Sequence, residues 1–133
     1  MPSAPSRGTV GRVSPADHRC LIVDDSPTFC AAARRLLEGA GMVVVGTVPT
    51  LEAALATALT TAPSVILVDV DLGGESGFDV VESLAAALRP GPPMVMVSTH
   101  DPDDFADLVE ASPAVGFLQK FELSAERVAE LLS

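Results

Sequence analysis

With 133 residues, of which 48% are hydrophobic and 20% charged, the chain has the composition of one ordinary folded domain and not of a disordered segment. A net charge of −10 is the wrong sign for the Lys/Arg surface that phosphate-backbone contacts need, so direct nucleic-acid binding is not expected. No apolar stretch reaches the roughly 18 to 20 residues of a membrane span, and Met1 to Arg19 lacks a signal peptide's apolar block; the chain reads as soluble and cytoplasmic, with no membrane partner.

The leader at 1–18 carries Pro, Ser and Gly together with Arg7 and Arg12, and is expected to be a flexible N-terminal tail ahead of a domain at 19–133. "CLIV" then reads as a strand ending in Asp24 and Asp25. Ser26 followed by Pro27 is a cap with proline at the first helical position, predicting a helix over 27–39 that Gly39 or Gly41 closes. Its inner face is expected to be Phe29, Ala33, Leu36 and Leu37. "MVVVG" is the second strand, followed by a helical pattern over 50–61. "VILV" is the third; it delivers Asp69 and, two residues on, Asp71. In the helix predicted at 77–88, Phe78, Val81, Leu84, Ala85 and Leu88 repeat at core spacing. "MVMV" leads to Ser98 and Thr99, a helix is expected over 102–111, and "VGFL" leads to Lys120, the chain's single lysine. Ser124 caps a last helix over 124–132, with Leu123 and Val128 placed as a hydrophobic staple. Cys20 and Cys30 match no metal spacing and no disulfide framework, and read as small buried thiols.

The strand-like runs are almost continuously apolar, as parallel strands covered on both faces must be. Their alternation with amphipathic helices predicts a doubly wound α/β sheet with right-handed crossovers. In such sheets ligand chemistry gathers outside the carboxyl ends of the strands. Here those ends carry Asp24 and Asp25, Asp69, Ser98 and Thr99, and Lys120. Taken singly they are weak signals, an acidic pair being a common capping turn and a lone lysine a common surface charge. Jointly they form a constellation. Carboxylates about 4 Å apart repel by roughly 4 kcal/mol each pair at an effective dielectric of about 20. A divalent cation would remove that penalty, and an all-oxygen donor set suits Mg²⁺. A carboxylate nucleophile beside an ammonium and a hydroxyl fits phosphoryl transfer.

"CLIVDDSPTF", "VILVDVDLGGESGFDVV", "MVMVST" and "GFLQK" resemble, in type, order and spacing, the receiver (response regulator) domain of two-component signalling over roughly residues 19–133. The resemblance implies a flavodoxin-like five-stranded sheet of order 2-1-3-4-5. It implies Asp69 as phosphoacceptor, and Mg²⁺ held by Asp25, by Asp24 largely through water, by Asp69 and by the backbone carbonyl of Asp71. Ser98 and Lys120 would contact the phosphoryl group, with Ser98, Thr99 and Phe117 forming the switch. The implied partners are a histidine kinase or phosphotransfer protein, and a downstream protein or output domain absent from this chain. A homodimer through helix 4, strand 5 and helix 5 is compatible with it. The activity implied is self-catalysed phosphotransfer and autodephosphorylation, not conventional enzymatic turnover. The chain departs from the family pattern at Phe121, where proline after a cis bond is common, and a trans bond is expected because a non-proline cis bond costs about 2.5 to 4 kcal/mol. Phe117 lacks the hydroxyl of the more usual tyrosine. With no output domain before Ser133, the chain reads as a stand-alone receiver or a piece of a longer protein.

Two other readings have less support. "VDVDLGG" resembles the Asp-x-Asp motif of haloacid-dehalogenase-type phosphatases, but that family places its metal-binding acids last and here the acidic pair comes first. A binding module on the same fold, holding flavin or signalling without phosphate, is the other. Flavin is disfavoured by the absence of Trp and Tyr and by an acidic first loop.

Overall fold

The computed structural model describes residues 18–132. Five strands, β1 (Arg19–Val23), β2 (Val43–Val48), β3 (Val65–Asp69), β4 (Met94–Ser98) and β5 (Gly116–Gln119), form one sheet of order β2-β1-β3-β4-β5. Every pairing is parallel. The helices are α1 (Pro27–Gly39), α2 (Leu51–Thr61), α3 (Gly77–Ala87), α4 (Ala106–Ala111) and α5 (Ala125–Leu132). This is the flavodoxin-like architecture predicted. Leader residues 1–17 lie outside the described residues, whereas His18 is buried and its carbonyl accepts from Val43 N–H at 3.1 Å.

The two-residue period of a strand sorts the sheet's side chains into two cores. On one face Cys20, Ile22, Leu67, Val95 and Val97 pack with Cys30, Ala33 and Leu37 of α1 and Val128 of α5. On the other, Leu21, Val23, Ile66, Val68 and Met96 pack with Ala54 and Ala58 of α2 and with Val81 and Leu84 of α3. With both faces covered, the central strands have no polar alternation to show. No helix among the described residues is long and apolar enough to cross a membrane.

The helix ends follow their predicted caps. Ser26 Oγ accepts from Phe29 N–H at 3.2 Å, and Ser124 Oγ from Arg127 N–H at 3.0 Å. Gly41 closes α1 with a positive φ of 97°, and Met42 N–H returns to the Leu37 carbonyl. Three expectations need correction. Leu36 is 45% exposed and Cys30 takes its place on the inner face of α1, because the buried stripe runs through Cys30, Ala33 and Leu37 at i, i+3 and i+7 and Leu36 lies about 100° off it. The helix expected over 102–111 is split into a 3₁₀ turn at Pro102–Asp104 and α4. Asp101 caps the turn through Asp103 N–H, and Phe105 leaves helical geometry as its ring packs between Phe78 and Phe117. Finally, β5 begins at Gly116, one residue late, and takes in Gln119, which pairs with Ser98.

Gly77 fixes how closely α3 approaches the sheet. A Cβ there would overlap the Asp69 carbonyl oxygen and sit 2.8 Å from Val70 Cα, both immovable backbone. Gly77→Ala is expected to destabilise the protein by about 3 kcal/mol in urea denaturation, despite alanine's better helix propensity. Gly74→Ala, whose added methyl meets nothing within 4 Å, should change stability by less than about 0.5 kcal/mol.

Candidate functional site

Parallel pairing sends every strand's carboxyl end to the same edge, so residues from distant parts of the chain meet there. Asp24 follows β1 and extends its ladder through an N–H bond to the Val48 carbonyl at 2.9 Å. Asp69 ends β3 opposite Val97, which places Ser98 next along the same edge. Lys120 follows β5 in a 3₁₀ turn, its carbonyl accepting from Leu123 N–H.

The carboxylate oxygens of Asp24, Asp25 and Asp69 can all lie within 4.8 Å of one another. Asp24 is 2% exposed and Asp69 7%, while Asp25 faces solvent. One ammonium serves the two buried acids: Lys120 Nζ stands 2.7 Å from Asp24 Oδ2 and 3.6 Å from Asp69 Oδ2. The same Nζ lies 4.3 Å above the ring of Phe29, whose π face adds attraction for the cation. Asp24 is further held by Ser26 N–H, which donates to Oδ1 at 2.8 Å. Burial raises Asp69 to about 6, the Asp24 charge pushing the same way against Lys120 and the Asp71 N–H, which pull it down.

Two observations show that this donor set fits a hard divalent cation. Three carboxylates cluster beside one ammonium, which pairs with the two buried ones, so net negative charge remains. Asp24 Oδ2, although ion-paired, has no aligned hydrogen-bond donor among the described residues despite its burial. Such oxygens suit Mg²⁺. Asp71 is exposed, with Oδ1 accepting from Gly73 N–H at 3.0 Å.

The switch residues expected from the sequence are less uniform. Ser98 is 2% exposed, and its Oγ lies 3.0 Å from the His100 backbone nitrogen and 3.2 Å from His100 Nδ1. Thr99 is exposed, and Phe117 is partly buried with its ring 6.2 Å from that of Phe105. Lys120–Phe121 is trans, as expected, and leaves the Phe121 ring 77% exposed at the rim.

Several residues at this edge were not picked out for it by sequence reasoning. Phe29 was assigned to the core alone, Cys30 Sγ donates to the Asp24 carbonyl at 3.4 Å, and Glu75 Oε1 accepts from Leu51 N–H at the start of α2. Phe29 and Glu75 lie inside the quoted motif segments and Cys30 just after one, but the contacts of each join separate segments and carry no signal in the local pattern. Burial raises both thiols, Cys20 to about 12, so they stay protonated and inert. A cleft of about 410 Å³ adjoins Asp24 and Asp25 and is lined also by Pro27, Arg34 and Thr47. A larger one of about 550 Å³, between Leu59 and Leu88, contains no carboxylate and is not a candidate for this chemistry.

The family described as the response regulator receiver domain matches residues 20–132. A Pseudomonas aeruginosa protein named as a transcriptional regulator is 29% identical over 114 residues, which are 86% of this chain and 53% of that protein. Protein-glutamate methylesterase/protein-glutamine glutaminase 6 of Anaeromyxobacter dehalogenans is 40% identical over 81 residues, 60% of this chain and 23% of that protein. The chain thus spans about half the length of the first relative and about a quarter of the second. Among solved structures, the Vibrio cholerae chemotaxis protein CheY4 is similar with a TM-score of 0.73 and 27% identity, covering 86% of this chain and 95% of that one.

A raised acid makes folding pH-dependent in a defined sense. Between the ordinary value of 3.8 and about 6, the folded state binds more protons at Asp69 than the unfolded state does, so metal-free stability falls as pH rises through that window. Asp69→Asn removes the penalty. In EDTA at pH 7.5 it should be about 2 kcal/mol more stable than wild type by denaturant titration, and the gap should close as pH is lowered to 4.

Proposed function

The chain belongs to the response regulator receiver domain family, and on that premise we propose that it is a phosphorylation switch whose acceptor is Asp69. A histidine kinase or phosphotransfer protein would present phosphohistidine in the cytoplasm. The observation that carries this reading is the burial of Asp69 between a second buried acid and the one lysine, at the sheet edge that also holds Ser98.

Asp25, Asp24, Asp69 and the Asp71 carbonyl would hold Mg²⁺, which when bound neutralises the clustered carboxylates and the incoming phosphoryl charge. Desolvation of Asp69 leaves its oxygen poorly hydrated and so ready to attack phosphorus. Lys120, nearer Asp24 than Asp69 at rest, has a phosphoryl oxygen to pair with once Asp69 is esterified. Ser98 would turn its hydroxyl to the same group, and Phe117 would repack beside Phe105 as it does so. The added dianion thereby biases the surface made by α4, β5 and α5.

That surface carries Asp103, Asp104, Asp107, Glu110, Glu126 and Glu130 in exposed positions and Glu122 half-buried, with Leu108 and Val115 as exposed apolar groups. Its charge suits a basic protein partner, an output domain or a second copy of the chain better than DNA. The longer relatives leave room for an output domain, though their named activities are their own.

Intact-protein mass spectrometry after acetyl phosphate and Mg²⁺ is expected to show one added phosphoryl group, lost in Asp69→Asn and in EDTA. Steady turnover of p-nitrophenyl phosphate would instead point to phosphatase chemistry. We also propose that the Asp71 carboxylate positions or repels the hydrolytic water. Asp71→Asn and Asp71→Ala should then change the aspartyl-phosphate lifetime by roughly 2- to 10-fold; unchanged lifetimes in both would remove Asp71 from that role.

A further inference from the structure

His100 lies outside the acidic cluster and matches none of the motif residues, yet it holds the one hydroxyl that the switch must move. Ser98 Oγ has one proton and two lone pairs. The His100 backbone N–H donates to it at 3.0 Å, and the ring Nδ1 stands 3.2 Å away. These two contacts occupy most of what the hydroxyl can offer.

Although exposed, the His100 ring is not free to wander. It stands T-shaped to the ring of Phe105, with centroids 5.7 Å apart and planes at 88°, and Phe105 in turn packs against Phe78 and Phe117. The His100 carbonyl accepts from Gln119 Nε2 at 3.2 Å, immediately before Lys120. The ring, its backbone and the aromatic cluster therefore form one connected piece with Ser98 at its end.

We propose that His100 is a positioning residue that latches the Ser98 hydroxyl in its resting direction. The switch then needs the Nδ1 contact to break before Ser98 can reach a phosphoryl oxygen. This rests on the phosphorylation reading above and adds the control of its rate. A neutral side-chain hydrogen bond contributes about 0.5 to 1.5 kcal/mol net, so its loss should speed labelling by roughly 2- to 12-fold.

The test compares acetyl phosphate labelling rates, at fixed pH and Mg²⁺, of wild type, His100→Ala and His100→Asn, each with Ser98 and with Ser98→Ala. His100→Ala should label several-fold faster than wild type, and His100→Asn, whose amide can reach the Nδ1 position, should return toward the wild-type rate. In the Ser98→Ala background the effect of His100→Ala should vanish. An acceleration that persists without the Ser98 hydroxyl, or no acceleration at all, overturns the latch. A second readout needs no phosphate: in the ¹⁵N spectrum of unphosphorylated protein, Ser98→Ala should move the His100 Nδ1 resonance, and an unmoved resonance also overturns it. If the resonance moves but wild type takes no label, the contact stands, the phosphorylation reading fails, and the proposed rate control falls with it.

Discussion

Two buried carboxylates and one ammonium hold this protein's functional edge together. Asp24 and Asp69 repel each other in a place with little water, and Lys120 bridges them unequally, at 2.7 Å and 3.6 Å. The pairing is sufficient to let the chain fold and insufficient to neutralise the site. Burial, reinforced by the Asp24 charge, raises Asp69, and Asp24 Oδ2 finds no aligned donor among the described residues. A fully compensated cluster would be inert. Here the imbalance is what fits the cluster to a divalent cation.

The sheet makes such a cluster tolerable. Interior strands of a parallel sheet are buried along their length, so a charge within them would be stranded far from any counter-charge. At the carboxyl edge the strands stop, the cores end, and polar groups from four of the five strands converge. Apolar residues on both faces keep those ends in register. Close packing continues to the edge itself, where Gly77 allows the start of α3 to lie directly on the Asp69 backbone. The position of Asp69 is therefore set by backbone contact, not by side-chain preference.

A second, aromatic assembly sits beside the charged one. Phe78, Phe105 and Phe117 make a tilted aromatic cluster between α3, the loop before α4 and β5. It is joined to Ser98 through His100 and continues toward an acidic outer surface. Tilted rings at centroid separations near 6 Å lie in the range aromatic pairs prefer. Phe117, without a tyrosine hydroxyl, is free of any polar partner that would hold its ring in one place. The acidic edge thus carries the charge, and the aromatic cluster links it to the neighbouring elements.

Much of this was legible in the residues. Continuous apolar runs, caps such as Ser26–Pro27 and Ser124, and carboxylates at strand ends determined the parallel sheet, its element order and the acidic edge, because each depends on local pattern and on the regular geometry of crossovers. Leu36 lies off the buried stripe that Cys30 completes, and the break within 102–111 falls at Phe105, whose ring contacts with Phe78 and Phe117 join distant segments. The preference of Lys120 for Asp24, its seat on Phe29, the contact that excludes a side chain at Gly77, and the hold of His100 on Ser98 were decided by tertiary structure alone. The reason is physical: periodicity and capping act over a few residues of chain, whereas ion pairing, ring contacts and steric exclusion depend on distances of a few ångströms between segments that only the folded sheet brings together.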